Sequence, residues 1–411
     1  MKQMLHDFAG RSIWRHRDVR LVLPARAFSA FGDDMTVIVL TLRIFDLGLG
    51  PWSITALLVC SALPVVLLAR FAGGLVDSMP FRRLAVVTAI LQASCCVALS
   101  FVGPVWTTFA LVFLLQAGHV VAGPTWQALI PNIADRDELG RVVSSSQAMN
   151  TVAMVAAPAV AGLTVAWLGY SAPLLINGAT FVALGAAALA VHASRRVAEP
   201  GASDEGPSGT SFSLRSDALL WPLIVGLCVF VLAGEVTNVV EVFLLRGTLG
   251  ASSAVFGLVG AVLAAGIVVG SLAAGRNTSD ASRALRSAFA AGGLALALVT
   301  AGLAPTISVF AAAWLVLGVL NGILNADVNT LLLNRTPESA RGRALANVNA
   351  MARASALGAM ALGGIAGTLL GPRATFVTAG AVSTVVAVAL VFRIRRALSG
   401  SGAAVGEPAS M

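Results

Sequence analysis

The chain has 411 residues, 57% of them hydrophobic and only 11% charged, with a mean hydropathy of +0.88. A soluble domain carries about 25% charged residues, so the composition excludes one and indicates an integral membrane protein. The formal charge of +8 does not signal nucleic acid, because the arginines sit in short loops between apolar runs, as membrane loops do, and Lys2 is the single lysine.

Apolar runs of membrane-spanning length recur twelve times, at about 21–47, 52–76, 84–102, 105–130, 142–168, 171–192, 218–246, 253–275, 284–303, 306–333, 343–370 and 374–392. The expected fold is therefore all-α, with twelve transmembrane helices in two six-helix bundles. A tail at 1–20 precedes the first bundle (21–192), a linker at 193–217 separates it from the second (218–396), and a tail follows at 397–411. The linker holds Glu199, Pro200, Gly201, Asp204, Glu205, Gly206 and Pro207 and is too polar to enter lipid. No cleavable signal peptide is expected, since the stretch before the first run is polar and basic.

Arginine placement sets the expected orientation. Lys2, Arg11, Arg15, Arg17 and Arg20 lie in the first tail, and Arg82, Arg83, Arg136, Arg141, Arg276, Arg283, Arg286, Arg335, Arg341 and Arg343 lie in the even-numbered turns. The opposite side has Arg246 and Arg373 in its turns. Both termini should be cytoplasmic in a bacterial inner membrane. The halves also repeat. An offset of 202 places Gly32 on Gly234, Gly48 on Gly250, Asn132 on Asn334 and Ala350 on Ala148. Six spans per half make the repeats parallel, with a substrate site expected at their interface, which is the arrangement of an alternating-access carrier.

Within the spans the polar residues are few. Asp33 and Asp34 fall near the middle of the first run, where an ionised group costs roughly 2.5–3.5 kcal/mol, so they need a role or a partner; Arg26 and Arg353 are the candidate partners. Gln116 and His119 lie on helix 4, Glu235, Asn238 and Glu241 on helix 7, and Asn321, Asn325, Asp327 and Asn329 on helix 10. The asparagines at spacing four share a face and suit either a cavity wall or hydrogen bonds between helices. His119 reads either as a packed histidine or as a cavity group, and Arg353 as a counter-ion to a buried acid. Cys60, Cys95, Cys96 and Cys228 sit in apolar runs without metal-ligand spacing and read as packing residues. No nucleophile–base pairing, metal cluster or phosphate loop is visible, so neither an enzyme nor a cofactor is expected.

The second turn reads Gly73-Gly74-Leu75-Val76-Asp77-Ser78-Met79-Pro80-Phe81-Arg82-Arg83. Gly73 and Gly74 would permit close helix approach. This turn resembles the signature loop of the major facilitator superfamily, with Gly73, Asp77, Arg82 and Arg83 matching and Ser78 replacing a basic residue. The resemblance implies a cytoplasmic latch at those four residues and a cavity lined by helices 1, 4, 7 and 10. Gly123-Pro124-Thr125-Trp126-Gln127-Ala128-Leu129-Ile130-Pro131 resembles the helix-4 exit of the macrolide-efflux branch and its siderophore-exporting relatives. Ala157-Pro158-Ala159-Val160-Ala161-Gly162 is similar to the helix-5 antiporter motif carried here by Pro158 and Gly162. The arginine many proton antiporters carry on helix 4 is absent, with Leu114 and Gln116 in its neighbourhood.

The expected function is a monomeric secondary exporter in the bilayer. It would expel an amphipathic small molecule such as an antibiotic in exchange for protons. A siderophore or metabolite exporter shares all these features; a lipid flippase or a sensor on the same fold belongs to another class. The repeat places Asp33 on Glu235, so these two acids are the expected coupling pair, facing each other and each resisting ionisation.

Overall fold

The computed structural model describes residues 13–133, 135–192, 214–275 and 278–403. Lys2 and Arg11 of the first tail, Arg276 and most of the linker, including Glu199, Pro200, Asp204, Glu205 and Pro207, lie outside them. Twelve long helices and no strand occur among the described residues. The first six are α1 (Arg17–Asp46), α2 (Pro51–Ser78), α3 (Phe81–Phe101), α4 (Val105–Gln127), α5 (Leu139–Leu168) and α6 (Ser171–Ala190). The second six are α7 (Leu220–Val242), α8 (Ser253–Ala274), α9 (Asp280–Leu303), α10 (Ile307–Arg335), α11 (Arg341–Leu369) and α12 (Pro372–Ala403). A single π turn, Phe243–Thr248, extends α7. The shortest helix, α6, has 20 residues, enough at about 1.5 Å per residue to cross the hydrocarbon.

Eleven of the helices are long and apolar enough to cross a membrane. The remaining one is α1, whose apolar stretch is interrupted by Arg26, Asp33, Asp34 and Arg43. α12 continues to Ala403, so the first residues of the expected C-terminal tail are helical.

The repeat is visible in the backbone. Gly48, Gly169, Gly250 and Gly371 have φ of 71°, 75°, 72° and 79°, a left-handed conformation that favours glycine. They form two pairs at the 202-residue offset, closing α1 and α7 in one case and α5 and α11 in the other. Packing repeats as well. α1 packs on α5 and α6, and α3 on α4 and α6; likewise α7 packs on α11 and α12, and α9 on α10 and α12.

The chain divides into two compact units. The first comprises Met1–Gly48, Ala56–Ser203 and Ser253–Leu258; the second comprises Leu49–Thr55, Asp204–Ser252 and Val259–Met411. Lipid gives apolar side chains no reason to leave it, so close backbone approach does much of the holding. In the first unit, a Cβ on Gly162 would overlap Ser253 O, and one on Gly257 would overlap Pro158 O. The Pro158–Gly162 stretch of α5 therefore seats the first turn of α8. In the second unit, Gly364 and Gly367 of α11 meet Thr55, Trp52 and Pro51 in the same manner, and Thr55 Oγ1 donates to Met360 O at 2.9 Å. Gly266 and Gly270 of α8 face Gly318 and Gly322 of α10, backbone against backbone. The close approach expected at Gly73 and Gly74 is not found. A Cβ on either meets open space.

Candidate functional site

In the first unit α1 supplies Gly32, Asp33 and Thr36, α4 supplies His119 and α6 supplies Asn177. Asp33 Oδ2 is 3.2 Å from His119 Nδ1. The Asn177 side-chain N–H groups lie 2.8 Å from Thr36 Oγ1 and 3.5 Å from Asp33 Oδ1. Thr36 Oγ1 in turn donates to Gly32 O at 3.0 Å, and Thr180 Oγ1 donates to Asn177 Oδ1 at 3.0 Å. Asn177 is 0% exposed, and a Cβ on Gly32 would overlap its carboxamide. The cluster therefore needs glycine at 32. Its side-chain exposure is graded, with Asp33 at 15% and His119 at 52%, so the imidazole connects a sheltered acid to open space.

Asp34 lies about 100° further round α1. It is exposed and makes no hydrogen bond or ion pair among the described residues. Arg26 and Arg353, the partners expected for these acids, form no ion pair there either; the side chain that meets Asp33 is His119. Gln116 is half-buried. Two residues of this region escaped the sequence reading, Asn177 and Gln92. Each is a lone amide within an apolar run, a signal as strong as the one that singled out Gln116.

The second unit is arranged differently. Asp327, expected to line a cavity, is 0% exposed and accepts from Arg286 Nε at 2.7 Å, with Arg283 Nη1 at 3.5 Å. Its charge is already paired, which corrects the cavity assignment. The Asn321–Asn325–Asn329 series bonds along its own helix instead of between helices. Asn325 Nδ2 donates to Asn321 Oδ1 at 2.7 Å, and Asn329 Nδ2 to Asn325 O at 2.9 Å. Glu235 is half-buried, 3.5 Å from Asn238 Nδ2. Glu241 lies within reach of the Trp314 indole, whose Nε1–H closes no hydrogen bond of good geometry.

Among the signature-loop residues Asp77 and Arg83 are exposed, while Arg82 Nη2 donates at 2.6 Å to O of Val191, the residue just past the end of α6. Arg82 thus caps a helix as well as carrying charge. At the same end of this unit Glu138 accepts from His16 Nε2 at 2.7 Å and lies 3.3 Å from Arg15, which also reaches Asp135 at 3.2 Å. The hydrogen bond from His16, helped by the charge of Arg15, holds the Glu138 carboxyl below its usual range against the opposing effect of burial. His16, Asp135 and Glu138 bring ligand atoms within 4.8 Å of one another, a grouping the sequence does not announce, and Arg15 pairs with both of its carboxylates.

A model described as the Major Facilitator Superfamily matches residues 22–247 and 231–410. The chain belongs to this superfamily. An "Uncharacterized MFS-type transporter YfiS" of Bacillus subtilis (strain 168) is 24% identical over 375 residues, covering 87% of this chain and 89% of the relative. Among solved structures, a bacterial homologue of the human lysosomal transporter Spinster, in an inward-facing and unoccupied conformation, matches with TM-score 0.69 and 16% identity over 92% of this chain and 97% of its own. A POT family transporter in complex with 5-aminolevulinic acid matches with TM-score 0.72 and 11% identity, covering 92% and 96%. A bacterial homologue of the iron transporter ferroportin matches with TM-score 0.69 and 17% identity, covering 93% and 100%. At such identities the structures establish the fold alone. This superfamily member is a multi-pass membrane transporter of small-molecule substrates; transporters are not enzymes.

Proposed function

We propose that the protein is a secondary active exporter that expels an amphipathic drug or antibiotic by alternating access in exchange for protons. The observation that carries the reading is Asp33 Oδ2 at 3.2 Å from His119 Nδ1, with Asn177 fixing the carboxylate from the other side. A carboxylate and an imidazole at that distance can hand a proton between them, one sheltered and one open. Asp33 is the primary proton carrier in this proposal, Glu235 its counterpart on α7, and Asp34 and Glu241 the reserve. Gly73, Asp77, Arg82 and Arg83 act as the cytoplasmic latch, with both termini on that side. The resemblance to the macrolide-efflux branch supports the substrate class.

The test uses a host lacking its own pumps. Expression should raise tolerance to amphipathic antibiotics, and a protonophore should remove the gain. In proteoliposomes, adding such a substrate should move protons. Substrate flux without proton movement would overturn the coupling, and translocation of labelled lipid without drug flux would assign the chain to the flippase class.

A further inference from the structure

Beside the Asp33 cluster, the first unit holds a cavity of about 210 Å³ whose polar lining includes Arg26, Ser29, Gln92, His119, Trp126 and Asn150. Three of these groups are without partners. Gln92 is 1% exposed with both amide atoms unbonded, and Trp126 is 2% exposed with its Nε1–H unbonded. Arg26 is half-buried and makes no hydrogen bond or ion pair among the described residues. Buried polar groups without partners are rare in folded proteins, and here they converge on one space. The bundle even makes room for one of them. A Cβ on Gly118 of α4 would lie 2.9 Å from Gln92 Cγ, an approach that only glycine allows without displacing the amide.

The fold does not call for this polarity. At the 202-residue offset Arg26, Gln92, Trp126 and Asn150 correspond to Cys228, Leu294, Val328 and Ala352. Leu294 and Val328 are buried in the core of the second unit. The same backbone plan is therefore filled without these polar groups. Keeping them unbonded in the first half is costly, and that cost points to a ligand.

The unbonded atoms describe it. The Arg26 fork, the Trp126 N–H and the Gln92 N–H₂ are donors, and such a set suits a carboxylate. Gln92 Oε1 is an acceptor and asks for a donor on the same ligand. No carboxylate lines the cavity, and Asp33 is engaged by His119 and Asn177. An ammonium would thus meet the Arg26 charge without compensation, which leaves a hydroxyl as the donor. The volume equals about seven waters at their share of the liquid and is below the roughly 300–1,000 Å³ of drug-sized sites. The ligand is therefore small. His119 and Gln127 are exposed members of the lining, so the cavity has a way in.

We propose that the first unit binds a small hydroxycarboxylate in this cavity, its carboxylate held by Arg26 and Trp126 and its hydroxyl donating to Gln92 Oε1. The site is too small for the drug-sized cargo of the exporter proposed above and stands independently of that reading.

The test is ligand-observed NMR of glycolate with the full-length protein in nanodiscs. Glycolamide and acetate serve as probes that lack the charge and the hydroxyl. Glycolate should bind roughly tenfold tighter than glycolamide and severalfold tighter than acetate, as expected for a charge-assisted and a neutral hydrogen bond. Arg26→Gln should remove the preference over glycolamide, and Gln92→Leu the preference over acetate. Gln92→Leu copies the residue of the second half, so it should also raise the unfolding temperature of the unliganded protein. A group kept for packing would give the opposite shift, and a lowered unfolding temperature overturns the proposal. So do glycolate bound no tighter than either probe, no binding at all, and preferences that survive the two substitutions. If Arg26→Gln does not fold, the Gln92→Leu arm decides by itself.

Discussion

The two halves share a backbone plan and fill it with different chemistry. Gly48 and Gly169 turn the chain in the first half where Gly250 and Gly371 turn it in the second. Between those turns the interior diverges. The first half packs Phe81 edge-on against Trp126, with 5.1 Å between ring centroids. At the 202-residue offset stand Arg283 and Val328, and Thr125 gives way to Asp327, the acid that Arg283 and Arg286 hold. The glycines that close α8 on α10 correspond to Pro64, Leu68, Gln116 and Val120. Turn geometry demands one residue type, whereas a buried position accepts whatever satisfies its neighbours. A duplicated fold therefore keeps its helix ends and loses its symmetry of function.

That asymmetry bears on the proposed coupling pair. At the same offset His119 becomes Asn321 and Asn177 becomes Ala379, so Glu235 has neither of the partners that surround Asp33. The largest expected effect follows. Asp33→Asn should abolish proton-driven uphill efflux, and Glu235→Gln should only reduce it. The double mutant should still exchange substrate downhill. Substrate-induced proton movement in proteoliposomes is the measurement. A double mutant that couples at the wild-type ratio would transfer the role to Asp34 or Glu241.

The ion triad and the aromatic pair can be set against each other directly. Asp327→Ala leaves two arginines facing a vacated buried site and should cost about 3–5 kcal/mol in unfolding, whereas Thr125→Ala at the matching place should cost about 1 kcal/mol. Replacing the triad together, as Arg283→Met, Arg286→Leu and Asp327→Leu, should come close to wild-type stability. A triple variant as unstable as Asp327→Ala would mean that the charges do more than neutralise one another.

Smaller still is the contrast between Gly32 and Gly234, equivalent in the repeat. An added methyl at 32 displaces Asn177 from Asp33 and Thr36, while at 234 it meets nothing within 4 Å. Gly32→Ala should destabilise by about 1–3 kcal/mol and slow transport. Gly234→Ala should stabilise by up to about 1 kcal/mol through helix propensity. Thermal unfolding in detergent separates them.

Much of this architecture was legible in the sequence, because lipid allows few backbone solutions and a spanning helix announces itself by length and hydropathy. The twelve spans, their turns and the 202-residue repeat follow from that constraint, and the acids on α1 and α7 stand out against it. Partners were not legible. Asp327 and Asp33 look alike as acids in apolar runs, yet one meets two arginines from α9 and the other a histidine from α4. Helix rotation decides which, and hydropathy does not carry it. In the sequence Arg82 reads as a turn arginine and part of a latch, and its role at the end of α6 does not show because its acceptor, Val191 O, lies 109 residues away. Asn177 was passed over since a single amide barely changes the mean of an apolar run.

The ends of the two units offer the finest comparison, through two carboxylates outside the spans. Glu138 is held below its usual range mainly by the His16 hydrogen bond, with Arg15 and Arg141 adding charge. Asp217 is also held low. Its burial acts in the opposite direction but is outweighed by the Leu220 N–H, Arg335 and the Leu219 N–H. A carboxyl depressed in the folded state takes up its proton at lower pH there than in the unfolded chain. Its stabilisation is therefore complete above the ordinary carboxylate range, roughly 4, and fades as pH falls below it. Glu138→Gln and Asp217→Asn should each lower the unfolding temperature slightly at pH 7 and converge on wild type as the pH is taken below about 4. The two should differ in what a second substitution does. His16→Ala should remove most of the Glu138→Gln effect, because their shared hydrogen bond is the larger influence. Arg335→Ala should remove only part of the Asp217→Asn effect, since the two backbone N–H groups at the start of α7 remain. Equal losses in both cycles would mean that the side-chain cation, not the helix end, holds Asp217.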